Sequence, residues 1–206
     1  FHHFTIIRHQ AVIAQGSWIP YDINEPHMTH SLTKLFTNTA VGFACDHKLM
    51  SLDDTVVSYF PEHVPDKPSK FLNEMTVRDL ITMRCGHDHL ISGNKWRPIK
   101  TSWIAEFFKE PLTYEPGKHF QYTSATSYVL SAIVQKVCGC TTFEYLKKEL
   151  LDDINVTDMT WDVSPQGVCS GGNGITIKNE DAAKMGLLYL YDGCLFYIFW
   201  DCRIFS

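Results

Sequence analysis

His30-Ser31-Leu32-Thr33-Lys34-Leu35-Phe36-Thr37-Asn38-Thr39-Ala40-Val41-Gly42-Phe43-Ala44-Cys45 is the stretch on which the reading of this chain turns. It reads as one amphipathic helix that opens on a serine. Phe36, Ala40 and Phe43 recur at i, i+4 and i+7, the spacing of a buried helical stripe. Lys34 stands three positions after Ser31, so both fall on one helical face. The first turn then presents a hydroxyl beside an amine, while the apolar stripe behind it anchors the helix.

Ser and Lys are common residues, so an S-x-x-K pattern carries little weight alone. The chain holds a second copy, Ser92-Gly93-Asn94-Lys95. That copy lies among Gly93, Asn94 and Pro98 with no apolar periodicity behind it, and reads as a loop. Only the first copy has a helix to hold its geometry.

Upstream, Phe4–Arg8 and Ala11–Ala14 are β-rich segments flanking His9-Gln10, the pattern of a hairpin. Downstream, a short helix ends near Phe60, and Thr76 with Asp79 three residues later forms a capping-box start for a helix ending at Gly86. Ser102 caps a helix to Lys109, and Tyr128–Val137 is a strongly apolar helix closed by Gly139. Thr141 or Thr142 caps a further helix, Phe143–Leu151. Gly171-Gly172-Asn173-Gly174 precedes Ile175-Thr176-Ile177 and a last helix from about Asn179 to Tyr191. Strands come first and helices dominate afterwards, which predicts an α+β fold with a mostly helical and loop lobe over residues 55–120. Residues 194–206 form an atypical aromatic tail.

Composition bounds the function. A formal net charge of -5 without a Lys/Arg cluster argues against a nucleic-acid partner. No apolar run approaches the length of a membrane span. The 7 cysteines are an odd count with no paired metal spacing, and read as incidental thiols. His87-Asp88-His89 lacks metal-site spacing, so no metal and no cofactor is expected. Asn155-Val156-Thr157 matches a glycosylation sequon by pattern alone. The run Gly171–Gly174 lacks the G-K-[ST] ending of a phosphate loop.

Taken in order, the segments resemble the β-lactamase-related serine hydrolases. These include class C β-lactamases, D-alanyl-D-alanine carboxypeptidases, related esterases and 6-aminohexanoate-dimer hydrolases. His30–Lys34 resembles the family's S-x-x-K motif, and Leu49–Asp54 through Tyr59-Phe60-Pro61 resembles the run after its helix. Thr76–Met83 is similar to the helix ahead of the substrate-side loop. Pro116-Gly117 with Phe120-Gln121-Tyr122-Thr123-Ser124 resembles the second motif, and Gly171–Gly174 with Asn179–Lys184 a later segment.

The resemblance implies a β-lactamase and penicillin-binding-protein-like fold over residues 1–193. It implies Ser31 as nucleophile, Lys34 and Tyr122 as candidates for the base that takes its proton, and Ser124 as a substrate contact. Lysine and tyrosine side chains free in water titrate at about 10.4 and 10, so a base poised near neutrality needs a downward shift. The implied substrate is a small ester, amide or β-lactam-like molecule, turned over through an acyl-serine. Two alternatives stand beside this: a penicillin-binding D-Ala-D-Ala peptidase, and a non-catalytic binding homologue. Ser124 stands where many relatives carry Asn, and is equally a candidate helix N-cap. Leu151–Ile154 replaces the usual Pro-Leu-Gly turn, and no K-T-G or H-x-G third motif is present. Both ends therefore read as cut, and the domain as an N-terminal portion whose sheet is incomplete. Compartment and oligomeric state are not fixed by these residues.

Overall fold

Alternating β-branched and aliphatic residues make the N-terminal hairpin. β1 (His3–Arg8) and β2 (Ala11–Ser17) pair antiparallel, with His3 opposite Ser17 and a bulge between Ile6 and Ile7. The computed structural model of the protein describes residues 2–9, 11–91, 96 and 98–192. Among these, β1 and β2 pair only with each other. The hairpin is tied to the rest by the Asn179 side-chain amide, which donates to Thr5 Oγ1 at 2.5 Å. A second, three-stranded antiparallel sheet has the order β3-β5-β4, from β3 (His27–Met28), β4 (Met159–Trp161) and β5 (Ile175–Ile177).

The helices are α1 (Thr33–Asp46), α2 (Val56–Tyr59), α3 (Val77–Ile81), α4 (Trp103–Lys109), α5 (Ser124–Cys138), α6 (Thr142–Leu146) and α7 (Asn179–Leu190). α5 is the central one. Every residue from Ala125 to Val134 is buried, as expected of a helix covered on all sides. α1, α3 and α6 pack on it. Phe36, Val129, Leu130, Ile133 and Leu146 all fall in one core, each exposing 1% or less. Burying each such side chain contributes roughly 1.5–3 kcal/mol before the cost of ordering the chain.

Caps mark the helix ends. Thr76 and Asp79 make both reciprocal bonds of a capping box, and so do Thr141 and Glu144. Ser102 accepts from the Ala105 N–H, and Gly139 closes α5 with φ 71°, a left-handed angle that glycine takes without strain. His87 is buried with its Nε2 unpartnered among the described residues, and burial pushes its pKa down to about 4, so it is held neutral.

Four local expectations are corrected. Ser31 does not open the α-helix: residues His30–Leu32 form a 3-10 turn, and the α-helix starts at Thr33. Phe43 is only half-buried; the hidden face of α1 is Phe36, Thr37, Ala40, Val41 and Ala44. α3 stops at Ile81 because Met83 takes φ 56°, which no helix accommodates. The helix begun at Thr142 is α-helical only to Leu146 and continues as a π-helical turn over Lys147–Leu151. Ser92, Lys95 and the tail from residue 194 lie outside the described residues.

Candidate active site

Ser31 is held by what flanks it. On one side the Thr29 N–H donates to Ile175 O at 2.9 Å; on the other Thr33 Oγ1 accepts from the Ile175 N–H at 3.2 Å. One residue of β5 thus clamps both ends of the turn. Between them His30 takes φ 45°, a strained angle for a residue with a side chain, and this turns the chain so that Ser31 is exposed.

Lys34 sits beneath it, 9% exposed. Its Nζ donates to Ser31 Oγ at 3.2 Å, Ser124 Oγ at 3.2 Å and Gly172 O at 2.7 Å. Three acceptors match the three N–H bonds of an ammonium group. Tyr122 reaches over from the loop before α5, and its hydroxyl donates to Ser31 Oγ at 2.8 Å. The Lys34 Nζ also lies 5.0 Å from the centre of the Tyr122 ring. Burial alone would push the phenol up. Its hydrogen bonds with Lys34 and Ser31 and the ammonium charge outweigh that, holding Tyr122 below the ordinary phenol range.

The four residues singled out in the sequence, Ser31, Lys34, Tyr122 and Ser124, therefore meet at one point. Of the two roles left open for Ser124, the helix N-cap falls away. Thr123 is the N-cap of α5, its side chain accepting from the Ala125 N–H, while Ser124 turns its hydroxyl to Lys34.

The Gly172 carbonyl is the partner that sequence reading missed. It is in reach because the backbone at 171–172 lies directly on α5. A Cβ built on Gly171 would stand 2.0 Å from Ser127 O, and one on Gly172 would stand 2.8 Å from Ser124 Cβ. Ser124, Ser127 and Ser131 form a strip of small side chains that admits this approach. The same contact brings Gly171 O to 2.7 Å from Thr37 Oγ1, so the buried Thr37 hydroxyl is satisfied there. The Gly-Gly pair was the available signal, but it does not name its partner.

Small antiparallel sheets packed with a helical layer are the α+β layout of the β-lactamase and penicillin-binding-protein-like proteins. An octameric penicillin-binding protein homologue from Pyrococcus abyssi superposes with a TM-score of 0.74 at 20% identity, covering 91% of this chain and 52% of that one. Residues 4–173 match the Beta-lactamase family, and the chain belongs to that family. Among named relatives, the lovastatin esterase of Penicillium rubens is 24% identical over 174 residues, spanning 72% of this chain and 43% of that protein. The 6-aminohexanoate-dimer hydrolase of Paenarthrobacter ureafaciens is 26% identical over 208 residues, spanning 92% of this chain and 52% of that protein. The chain thus spans about half the length of the curated relatives it matches.

Proposed function

We propose that this chain carries the acyl-serine machinery of a hydrolase acting on small esters or amides, with Ser31 as the nucleophile. The observation that carries this is the placement of Ser31 Oγ within hydrogen-bond distance of both Tyr122 Oη, 2.8 Å, and Lys34 Nζ, 3.2 Å. A serine hydroxyl needs its proton removed as it attacks. The Lys34 ammonium beside the phenol favours its ionised form, which makes Tyr122 the candidate base. Tyr122 as tyrosinate then accepts the Ser31 proton while Oγ bonds to the substrate carbonyl carbon. The same proton goes to the departing alcohol or amine as the carbonyl re-forms. Water then attacks the acyl carbon while the tyrosinate takes one of its protons; that proton passes to Ser31 Oγ as the acyl–Oγ bond breaks, releasing the acid and restoring Ser31 and the tyrosinate. The Lys34 ammonium beside it stabilises the tyrosinate.

In this reading Ser124 and Gly172 hold the lysine head, and Ser124 lies close enough to meet the substrate as well. The Ser31 N–H serves as one donor to the oxyanion. The named relatives, a lovastatin esterase and a 6-aminohexanoate-dimer hydrolase, support an ester or amide as the class of substrate. A penicillin-binding peptidase reading is favoured by the likeness to the Pyrococcus protein and shares this machinery.

The test is a burst experiment with p-nitrophenyl butyrate and nitrocefin. One equivalent of coloured product released ahead of the steady state on either substrate is expected. No release above the uncatalysed rate from a folded chain would overturn the proposal. Release confined to nitrocefin would favour the penicillin-binding reading.

A further inference from the structure

A cavity of about 810 Å³ opens beside this cluster. It shares Ser124 and Gly172 with the surroundings of Lys34, so it adjoins the proposed catalytic cluster. Its size falls in the roughly 300–1,000 Å³ range of small-molecule sites.

The walls are aromatic. Trp96, Trp103, Tyr128 and Trp161 all line it. Trp96, Trp103 and Tyr128 contact one another, with ring centres 6.1 Å, 5.0 Å and 6.4 Å apart, and so form one continuous face. The polar handles of Trp103, Trp161 and Tyr128 are already spent. Trp103 Nε1 donates to Ile99 O at 3.1 Å, Trp161 Nε1 donates to Ser170 O at 3.1 Å, and the Tyr128 hydroxyl is 3.0 Å from Ser164 Oγ. With those N–H and O–H groups turned into the protein, the rings offer carbon to the cavity. The charged lining residues, Lys100 and Asp162, are solvent-exposed. The rest of the lining is mixed, with Ser124, Ser164, Ser170 and Asn173 beside the rings, so polar substituents find partners there while an apolar ring is received by ring faces and edges.

We propose that this cavity receives a flat apolar ring group of the substrate. An acetyl or methyl group would leave most of it filled with water. The inference rests on the proposed hydrolase reading for its orientation toward Ser31, but the binding itself does not depend on turnover. The ring group could belong to the acyl part or to the alcohol part of an ester, and the test separates the two.

In the acyl arm, kcat/KM for p-nitrophenyl 2-naphthoate is compared with the acetate; in the alcohol arm, 2-naphthyl acetate is compared with ethyl acetate. Each value is divided by the hydroxide-catalysed rate of the same ester. A tenfold or larger preference for the ring ester is expected in one arm, and that arm identifies the part of the substrate housed. Val163 lines the cavity and is exposed, so Val163→Glu brings a charge to it without disturbing the core. That variant should reduce the preference at least fivefold. Independently, methyl 2-naphthoate added to the Ser31→Ala chain should quench tryptophan fluorescence saturably, since three of the 5 tryptophans face the cavity. Val163→Glu in that background should weaken the quench at least fivefold. Saturable quenching without turnover of any ester upholds the cavity and sinks the hydrolase reading. Turnover with no ring preference in either arm and no saturable quench overturns the cavity proposal and leaves the hydrolase reading intact.

Discussion

Lys34→Ala and Tyr122→Phe are each expected to slow acylation of Ser31 by about 10²- to 10⁴-fold, the range for losing a positioned proton-transfer group. The double variant is expected to be little worse than the poorer single one. The reason is geometric. Lys34 Nζ and Tyr122 Oη both bond to Ser31 Oγ, and the ammonium holds the phenol below its ordinary range. Removing the lysine takes away what makes Tyr122 a usable base; removing the phenol leaves the lysine nothing to support. Groups acting as one unit are non-additive. The pH profile gives the sign. A base works only when deprotonated, so acylation should rise with pH along a limb lying below the usual phenol range, and fall as Tyr122 takes up its proton. Tyr122→Phe should abolish that limb. Single effects that multiply in the double variant, or a limb that survives Tyr122→Phe, would assign the two residues separate roles.

Gly171→Ala is expected to lower stability by about 3 kcal/mol or more, at or beyond the upper end for overpacking. For a chain of this length that is a fall in Tm of roughly 10 °C. The added methyl would lie 2.0 Å from Ser127 O and 2.7 Å from Ser127 C, both backbone atoms of the central helix, so neither can swing aside. The strand and loop must instead lift off α5, carrying the Gly172 carbonyl away from Lys34. Activity should therefore fall even at temperatures where the variant is folded. Gly186→Ala is the matched control: it lies exposed in α7 with nothing within 4 Å of the new methyl. An alanine there should raise stability, by up to about 1 kcal/mol. Thermal melts by circular dichroism decide the matter. Equal melting temperatures for Gly171→Ala and the parent chain would show that this loop packs more loosely on α5 than the close approach requires.

What was legible in the sequence follows the range of the interaction. Ser31 and Lys34 are three residues apart on one local element, so their pairing could be read directly. The hairpin and the Thr76–Asp79 capping box were legible for the same reason. Tyr122 and Ser124 lie 91 and 90 residues from their partners, and only the resemblance to a family pointed to them. The Gly172 carbonyl, 138 residues from Lys34, was beyond both routes, because a backbone oxygen carries no residue-type signal. The apolar spacing of α1 misplaces Phe43 because it leaves the threonines out. Thr33 and Thr37 are fully buried, since segment 171–175 meets them with backbone hydrogen-bonding groups. Strands of two or three residues, such as His27–Met28 and Met159–Trp161, are too short for alternation to show.

Everything proposed for this site depends on Ser31 being the nucleophile, and covalent capture tests that without an intermediary. The chain is treated with a fluorophosphonate, digested, and the adduct located by peptide mass. One adduct is expected, on the peptide carrying Ser31, absent from Ser31→Ala and slowed in Tyr122→Phe. An adduct on Ser92 or Ser124, or labelling that persists undiminished in Ser31→Ala, would contradict it.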